Sequence, residues 1–200
     1  MEHRGQRVAD LRVPLVGEFN VRNALAAFAV ATDAGLDAAT IAASVGRFEG
    51  VRRRLELRGR ARGVSVYDDF AHHPTAVRET LAGVRAAFPS RRIWALFEPR
   101  SATSCRRVFQ EDFAGAFSVA DEVIIGRVYR SSLPEGERLS EDELVVGIGA
   151  SGVRARYLED VGDIVRVLVD EAKEGDLVVV MSNGAFGGIH GRLLDALAGR

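Results

Sequence analysis

From Leu55 to the end of the chain, short apolar segments alternate with longer stretches patterned at helical spacing, a rhythm that admits little besides a parallel α/β sheet. The most restrictive segment is Leu177–Met181, five consecutive apolar residues, as suits a central parallel strand covered on both faces. The series begins with a hairpin over residues 55–61 and 64–68, turned near Gly63. A helix from Pro74 follows, in which Val77, Leu81, Val84 and Phe88 recur at helical spacing and Pro89 supplies the stop. Next come a strand Ile93–Phe97, a helix bearing Val108, Phe109, Phe113 and Phe117, a strand at 123–126, a helix at 140–151 and a strand at 154–158. A helix presenting Val161, Ile164, Val165, Leu168 and Val169 precedes the last strand, and residues 183–188 turn into a closing helix.

The first fifty residues read differently. Residues 20–34 and 37–48 form an alanine-rich helical pair joined at Gly35, with Val21, Leu25, Phe28 and Ala29 on one face and Asp37 as N-cap of the second helix. Two helices cannot bury themselves alone, so residues 1–50 are expected to be the tail of a preceding domain, the arginine-rich stretch 47–54 a hinge, and residues 51–200 the principal domain. The 200 residues are 47% hydrophobic and carry a net charge of −1, which argues against a nucleic-acid footprint. A lone Cys105 and the lack of a leader pattern or long apolar stretch point to a cytoplasmic, membrane-free setting. Lys173 is the only lysine and no hydroxyl residue follows it, so the chain has no phosphate loop of the Gly-rich, Lys-Ser/Thr type.

In open α/β sheets ligands sit beyond the carboxyl ends of the strands. That rule selects residues 68–73, 98–104 and 182–190. The first, DDFAHH, offers carboxylates and imidazoles for a ribose, a metal or a phosphate; equally, Asp68 and Asp69 are turn residues and His72 or His73 a helix cap. In the second, Arg100 is placed to grip a carboxylate through its guanidinium fork, or is solvated while Ser104 caps the next helix. The third, SNGAFGGIH, has glycines that let a ligand approach the backbone, although a plain tight turn accounts for them as well.

Three stretches in order, GEFNVRNALAA, VRRRLE and YDDFAHHPT, resemble motifs of the Mur ligases, ATP-dependent enzymes of bacterial cell-wall synthesis that bear on cell shape and division. The resemblance implies a Rossmann-like C-terminal Mur ligase domain preceded by a helical remnant of the central ATPase domain. FEPRSATS and MSNGAFGGIH are most similar to the member that joins the tripeptide L-Ala-γ-D-Glu-meso-diaminopimelate to UDP-N-acetylmuramate in peptidoglycan recycling. The member that adds L-alanine instead, and a non-catalytic nucleotide-binding module, are the alternatives. A metal-dependent hydrolase built on Asp68, Asp69, His72 and His73 is a further rival.

By motif position, Asn20 would face the adenine, Arg54 would reach the nucleotide and Asp69 would bind the ribose. His72, Arg100, Ser182 and Asn183 would line the cleft toward the tripeptide. ATP and Mg2+ would serve the full-length enzyme, with none held tightly by this chain and no metal site of its own. No catalytic set is complete here, because the N-terminal and central domains would supply the rest. Phe19 stands where the family motif has histidine; it retains stacking ability but cannot donate a hydrogen bond.

Overall fold

The computed structural model describes residues 1–3, 5–129 and 133–199. Its contacts divide the chain into two compact units, Met1–Val51 and Arg52–Arg200.

The first unit contains a short antiparallel pair, β1 (Glu2–His3) and β2 (Gln6–Arg7), and two helices, α1 (Glu18–Asp33) and α2 (Ala38–Gly46). The strand pair is absent from the sequence reading because two-residue strands of polar residues carry no alternation signal. The helical pair is as expected, with Gly35 taking a positive φ of 89° between the helices and Asp37 accepting a hydrogen bond from Thr40 N at 2.9 Å. The two helices leave much of their apolar face uncovered: Phe28 and Ile41 are buried, whereas Val21 and Leu25 are 43% and 40% exposed and Ala29 is exposed. Spacing identified the stripe, but spacing does not supply a layer to cover it.

The second unit is a six-stranded sheet in the order β3 (Glu56–Ala61), β4 (Val64–Asp69), β8 (Leu177–Met181), β5 (Ile93–Phe97), β6 (Glu122–Ile125), β7 (Arg154–Tyr157). The β3–β4 pair is antiparallel and every other pairing is parallel. The apolar run 177–181 does lie inside the sheet, between β4 and β5. Its side chains alternate between faces. Leu177, Val179 and Met181 join one core cluster with Val77, Leu81 and Val84 of α3 (Pro74–Ala87), Phe113 of α4 (Gln110–Ala116), and Leu144 and Ile148 of α5 (Glu141–Gly149). Val178 and Val180 join the other, with Ile164 and Leu168 of α6 (Val161–Glu171) and Ile189 and Leu193 of α7 (Ile189–Ala198). Each such fully buried side chain contributes roughly 1.5–3 kcal/mol relative to exposure, so the two cores together hold the sheet between its helices. No described helix is long and apolar enough to cross a membrane.

One helix is shorter than its periodicity predicts. Residues 107–109 form a 3-10 turn, α4 begins only at Gln110, Val108 is 76% exposed and Phe117 is the C-cap residue. At the amino end of β8, buried Asp176 accepts hydrogen bonds from Arg92 Nε at 3.0 Å, Trp94 Nε1 at 2.9 Å and Lys173 N at 3.0 Å. Burial pushes its carboxyl up, but Arg92 and these N–H donors outweigh burial and hold it below its ordinary value. The one lysine thus lies at the opposite end of β8 from the loops in which a ligand is expected.

Candidate functional site

Because β4, β8 and β5 are neighbours and run parallel, their carboxyl ends bring residues 68–73, 182–190 and 98–104 side by side. Ser182, 1% exposed, joins two of these loops: its Oγ donates to Glu98 Oε2 at 2.6 Å and accepts from Gly184 N at 2.9 Å. Glu98 is itself 8% exposed, and its Oε1 lies 3.7 Å from Arg100 Nη1. Arg100 is held flat. Its guanidinium sits 3.7 Å from the ring centroid of Tyr129, and a Cβ at position 184 would meet Arg100 Cδ at 2.1 Å, so only glycine admits the arginine there. Asn183, between Ser182 and Gly184 in the chain, keeps its Oδ1 buried without a hydrogen-bond partner.

Ser104 does not cap the following helix, as one expectation had it. Its Oγ accepts from Arg100 N at 3.0 Å and Ser101 N at 2.9 Å, so it shapes the loop that presents Arg100. The serine cluster SATS signalled a turn, but nothing in spacing distinguished a cap from a loop clamp.

Asp68 and Asp69 diverge. Asp68, 4% exposed, lies 3.3 Å from Arg53 Nε and 3.4 Å from His190 Nε2. Burial pushes its carboxyl up, but His190 and Arg53 more than offset this and it sits below its ordinary value. Asp69, 2% exposed, turns inward: Leu55 N donates to Oδ2 at 2.8 Å, while Ala71 N at 2.8 Å and Thr80 Oγ1 at 3.3 Å donate to Oδ1. Burial dominates here and raises the carboxyl despite those donors and nearby Arg54. In this arrangement Asp69 clamps a turn, with both of its carboxylate oxygens engaged by donors of the protein.

The histidines also part. His72 Nδ1 lies 2.9 Å from Phe70 O, while exposed His73 is the N-cap of α3 and its Nδ1 accepts from Thr75 N at 3.4 Å. Among the described residues, no three His, Cys, Asp or Glu side chains are grouped to hold a metal ion, which gives the hydrolase rival no geometry to stand on. Asn20 belongs to the first unit, where its Nδ2 donates to Val16 O at 2.7 Å; Arg54 is exposed.

The arginine run hid the residue that matters structurally. Arg53, not Arg54, reaches into the loops: its Nη2 donates to Ser182 O at 2.5 Å and Gly184 O at 2.8 Å, and its guanidinium lies 5.0 Å from the Phe70 ring centroid. Three consecutive arginines give no sequence signal of which one turns inward. Glu98 and Tyr129 were also missed, although the position of Glu98 directly after a strand was available as a clue. A separate surface groove of about 590 Å³, lined by Arg107, Gln110 and Glu143, lies on the α4–α5 side. Its one cation, Arg107, is already paired, with Nη2 at 2.7 Å from Glu143 Oε2, so it makes a poorer anion site than the strand-end loops.

The fold and these loops define an α/β domain that presents a restrained cation beside a buried anion beyond the ends of its parallel strands, the place where such sheets receive small charged molecules. The chain belongs to the Mur ligases: residues 53–184 match the family model described as the Mur ligase, glutamate ligase domain. Over 196 residues it is 42% identical to the UDP-N-acetylmuramate--L-alanyl-gamma-D-glutamyl-meso-2,6-diaminoheptandioate ligase of Escherichia coli (strain K12), covering 97% of this chain and 41% of that enzyme. It is 34% identical over 181 residues to the UDP-N-acetylmuramate--L-alanine ligase of Desulfitobacterium hafniense (strain Y51), covering 90% of this chain and 40% of that enzyme. A crystal structure of a murein peptide ligase from Psychrobacter arcticus 273-4 is similar with a TM-score of 0.72 and 37% identity, over 95% of this chain and 39% of that one. The chain therefore spans about two-fifths of the length of these relatives.

Proposed function

We propose that the chain forms the acceptor-binding wall of an ATP-dependent amide-forming ligase that joins L-Ala-γ-D-Glu-meso-diaminopimelate to UDP-N-acetylmuramate through an acyl phosphate, in cytoplasmic peptidoglycan recycling. The observation that carries this reading is the pairing of Arg100 with Glu98. A guanidinium fixed on Tyr129 and a carboxylate with one oxygen beyond hydrogen-bond range of it offer complementary partners for an amino-acid zwitterion, carboxylate to arginine and ammonium to glutamate. Asn183 Oδ1, buried and unpaired, adds an acceptor for the same ammonium. Diaminopimelate ends in such a zwitterion, remote from the amine that reacts. L-alanine does not: its only amine is the nucleophile, which must shed its charge rather than be held as an ammonium. His72 and Ser182 serve this wall by shaping its loops.

On the nucleotide side, Asn20 takes the base and Arg54 the nucleotide by their motif positions, and Asp69 supports the ribose side through the turn it holds. The triphosphate and Mg2+ find no cradle here. The chain has no phosphate loop, and Asp68 and Asp69 are committed to Arg53, His190, backbone amides and Thr80. Those groups are assigned to the remainder of a longer protein, and no chemical step is routed through this chain's residues. Positioning of the acceptor amine is what the wall contributes, and positioning is a large part of the acceleration in such reactions.

An ADP-release assay tests the assignment. The full-length ligase should use the tripeptide with a kcat/KM at least about a hundredfold above that for L-alanine, as loss of two charge-assisted contacts implies. The 200-residue chain alone should show no turnover. Preference for L-alanine, or turnover by the isolated chain, would overturn it.

A further inference from the structure

Arg53 lies at the start of the second unit, yet its side chain ends 129 and 131 residues further along the chain, on the carbonyls of Ser182 and Gly184. Its backbone is held as firmly as its side chain. Arg53 N donates to Glu56 Oε2 at 2.9 Å, Arg53 O accepts from Phe70 N at 2.8 Å, and φ is 59°, a left-handed conformation that an arginine adopts only at a cost. Asp68, 3.3 Å from Nε, aligns the guanidinium, and His190 Nε2 lies 3.4 Å from the same carboxylate. The two carbonyls bracket Asn183, and Gly184 is the floor on which Arg100 rests.

From this we infer that Arg53 is a positioning residue for the acceptor: it pins the 182–184 turn so that Asn183 Oδ1 and the seat of Arg100 stay aimed at the incoming substrate. The inference rests on the acceptor wall proposed above. A planar fork is needed, because two carbonyls and a carboxylate are engaged at once, a demand that a lysine ammonium on a flexible stem meets poorly. Arg53 touches neither reacting atom in this scheme and acts only through the turn.

Two variants test it. Arg53→Ala removes the fork, and Arg53→Gly removes it while easing the left-handed backbone, which keeps the test valid if the alanine variant folds badly. Hydrogen exchange of the Ser182 and Gly184 amides, bonded to Asp69 O and Ser182 Oγ, should quicken at least tenfold in the glycine variant of this chain, with no ligand present. In the full-length ligase, the KM for whichever acceptor the wild type turns over, tripeptide or L-alanine, should rise roughly ten- to hundredfold, while the KM for ATP stays within about twofold. About 50 mM guanidinium ion should restore much of the lost acceptor affinity. Unchanged exchange overturns the inference, and so does a loosened turn with an unchanged acceptor KM. Because the readout follows the acceptor actually used, a wild type that prefers L-alanine would sink the tripeptide assignment and leave the Arg53 result interpretable.

Discussion

Replacing Arg100 by alanine in the full-length ligase is expected to raise the KM for the tripeptide about a hundredfold with little change in the KM for ATP. The size follows from what the guanidinium would give up. A charged, two-pronged hydrogen bond to a carboxylate contributes roughly 1.5–3 kcal/mol, or about ten- to a hundred-and-fifty-fold in affinity. The arginine is also already restrained by Tyr129 and by the absence of a side chain at Gly184, so little further ordering is needed when the substrate arrives. Arg100→Lys should recover only part of the loss, since an ammonium reproduces the charge but neither the fork nor the stacking. Steady-state kinetics with varied tripeptide decide the matter, and an unaltered KM in the alanine variant would remove Arg100 from the acceptor site.

The second large effect concerns stability. Asp69→Ala should lower the unfolding free energy of this chain by about 3–5 kcal/mol, because it strands the Leu55 and Ala71 amides and the Thr80 hydroxyl, each at a cost of roughly 1–3 kcal/mol where no other partner replaces it. Leu55 has a φ of 50°, and the hydrogen bond from its amide to Asp69 is part of what keeps that left-handed turn in place. The pH dependence has a definite sign. Burial raises the folded-state pKa of Asp69, so its contribution is fullest below the unfolded value of about 3.8 and declines as pH rises through the folded value. Asp176 runs the other way: its depressed carboxyl contributes above 3.8 and loses that contribution as pH falls through the folded value. Urea denaturation of wild type and Asp69→Ala across the acid range reads both, and equal stability of the two proteins would return Asp69 to the role of a ligand-facing residue.

Much of the second unit was legible from the sequence because two-sided burial leaves a plain mark. Leu177–Met181 announced its place inside the sheet, and the spacing of Val77, Leu81 and Val84 located the buried face of α3. The strand-end rule then found the three loops without any knowledge of the strand order. What spacing does not encode is the direction in which a polar side chain turns. Asp68 and Asp69 are identical neighbours, yet one faces Arg53 and His190 and the other the interior, a consequence of alternation at the end of β4. Arg53 and Arg54 pose the same problem, made harder by a left-handed turn that no glycine betrays. The apolar stripe of α1 shows a further limit: Val21 and Leu25 carry the pattern of a buried face, but patterning reports only that a face is fit for burial, not that a partner lies within the same unit.

The most direct test of the acceptor wall is a titration of this chain with the tripeptide, followed by backbone amide NMR. Shifts centred on Arg100, Tyr129, Ser182, Asn183 and Gly184, with L-alanine leaving the same signals in place, are the predicted result. Shifts confined to other surfaces, such as the groove by Arg107 and Glu143, or an equal response to L-alanine, would contradict it.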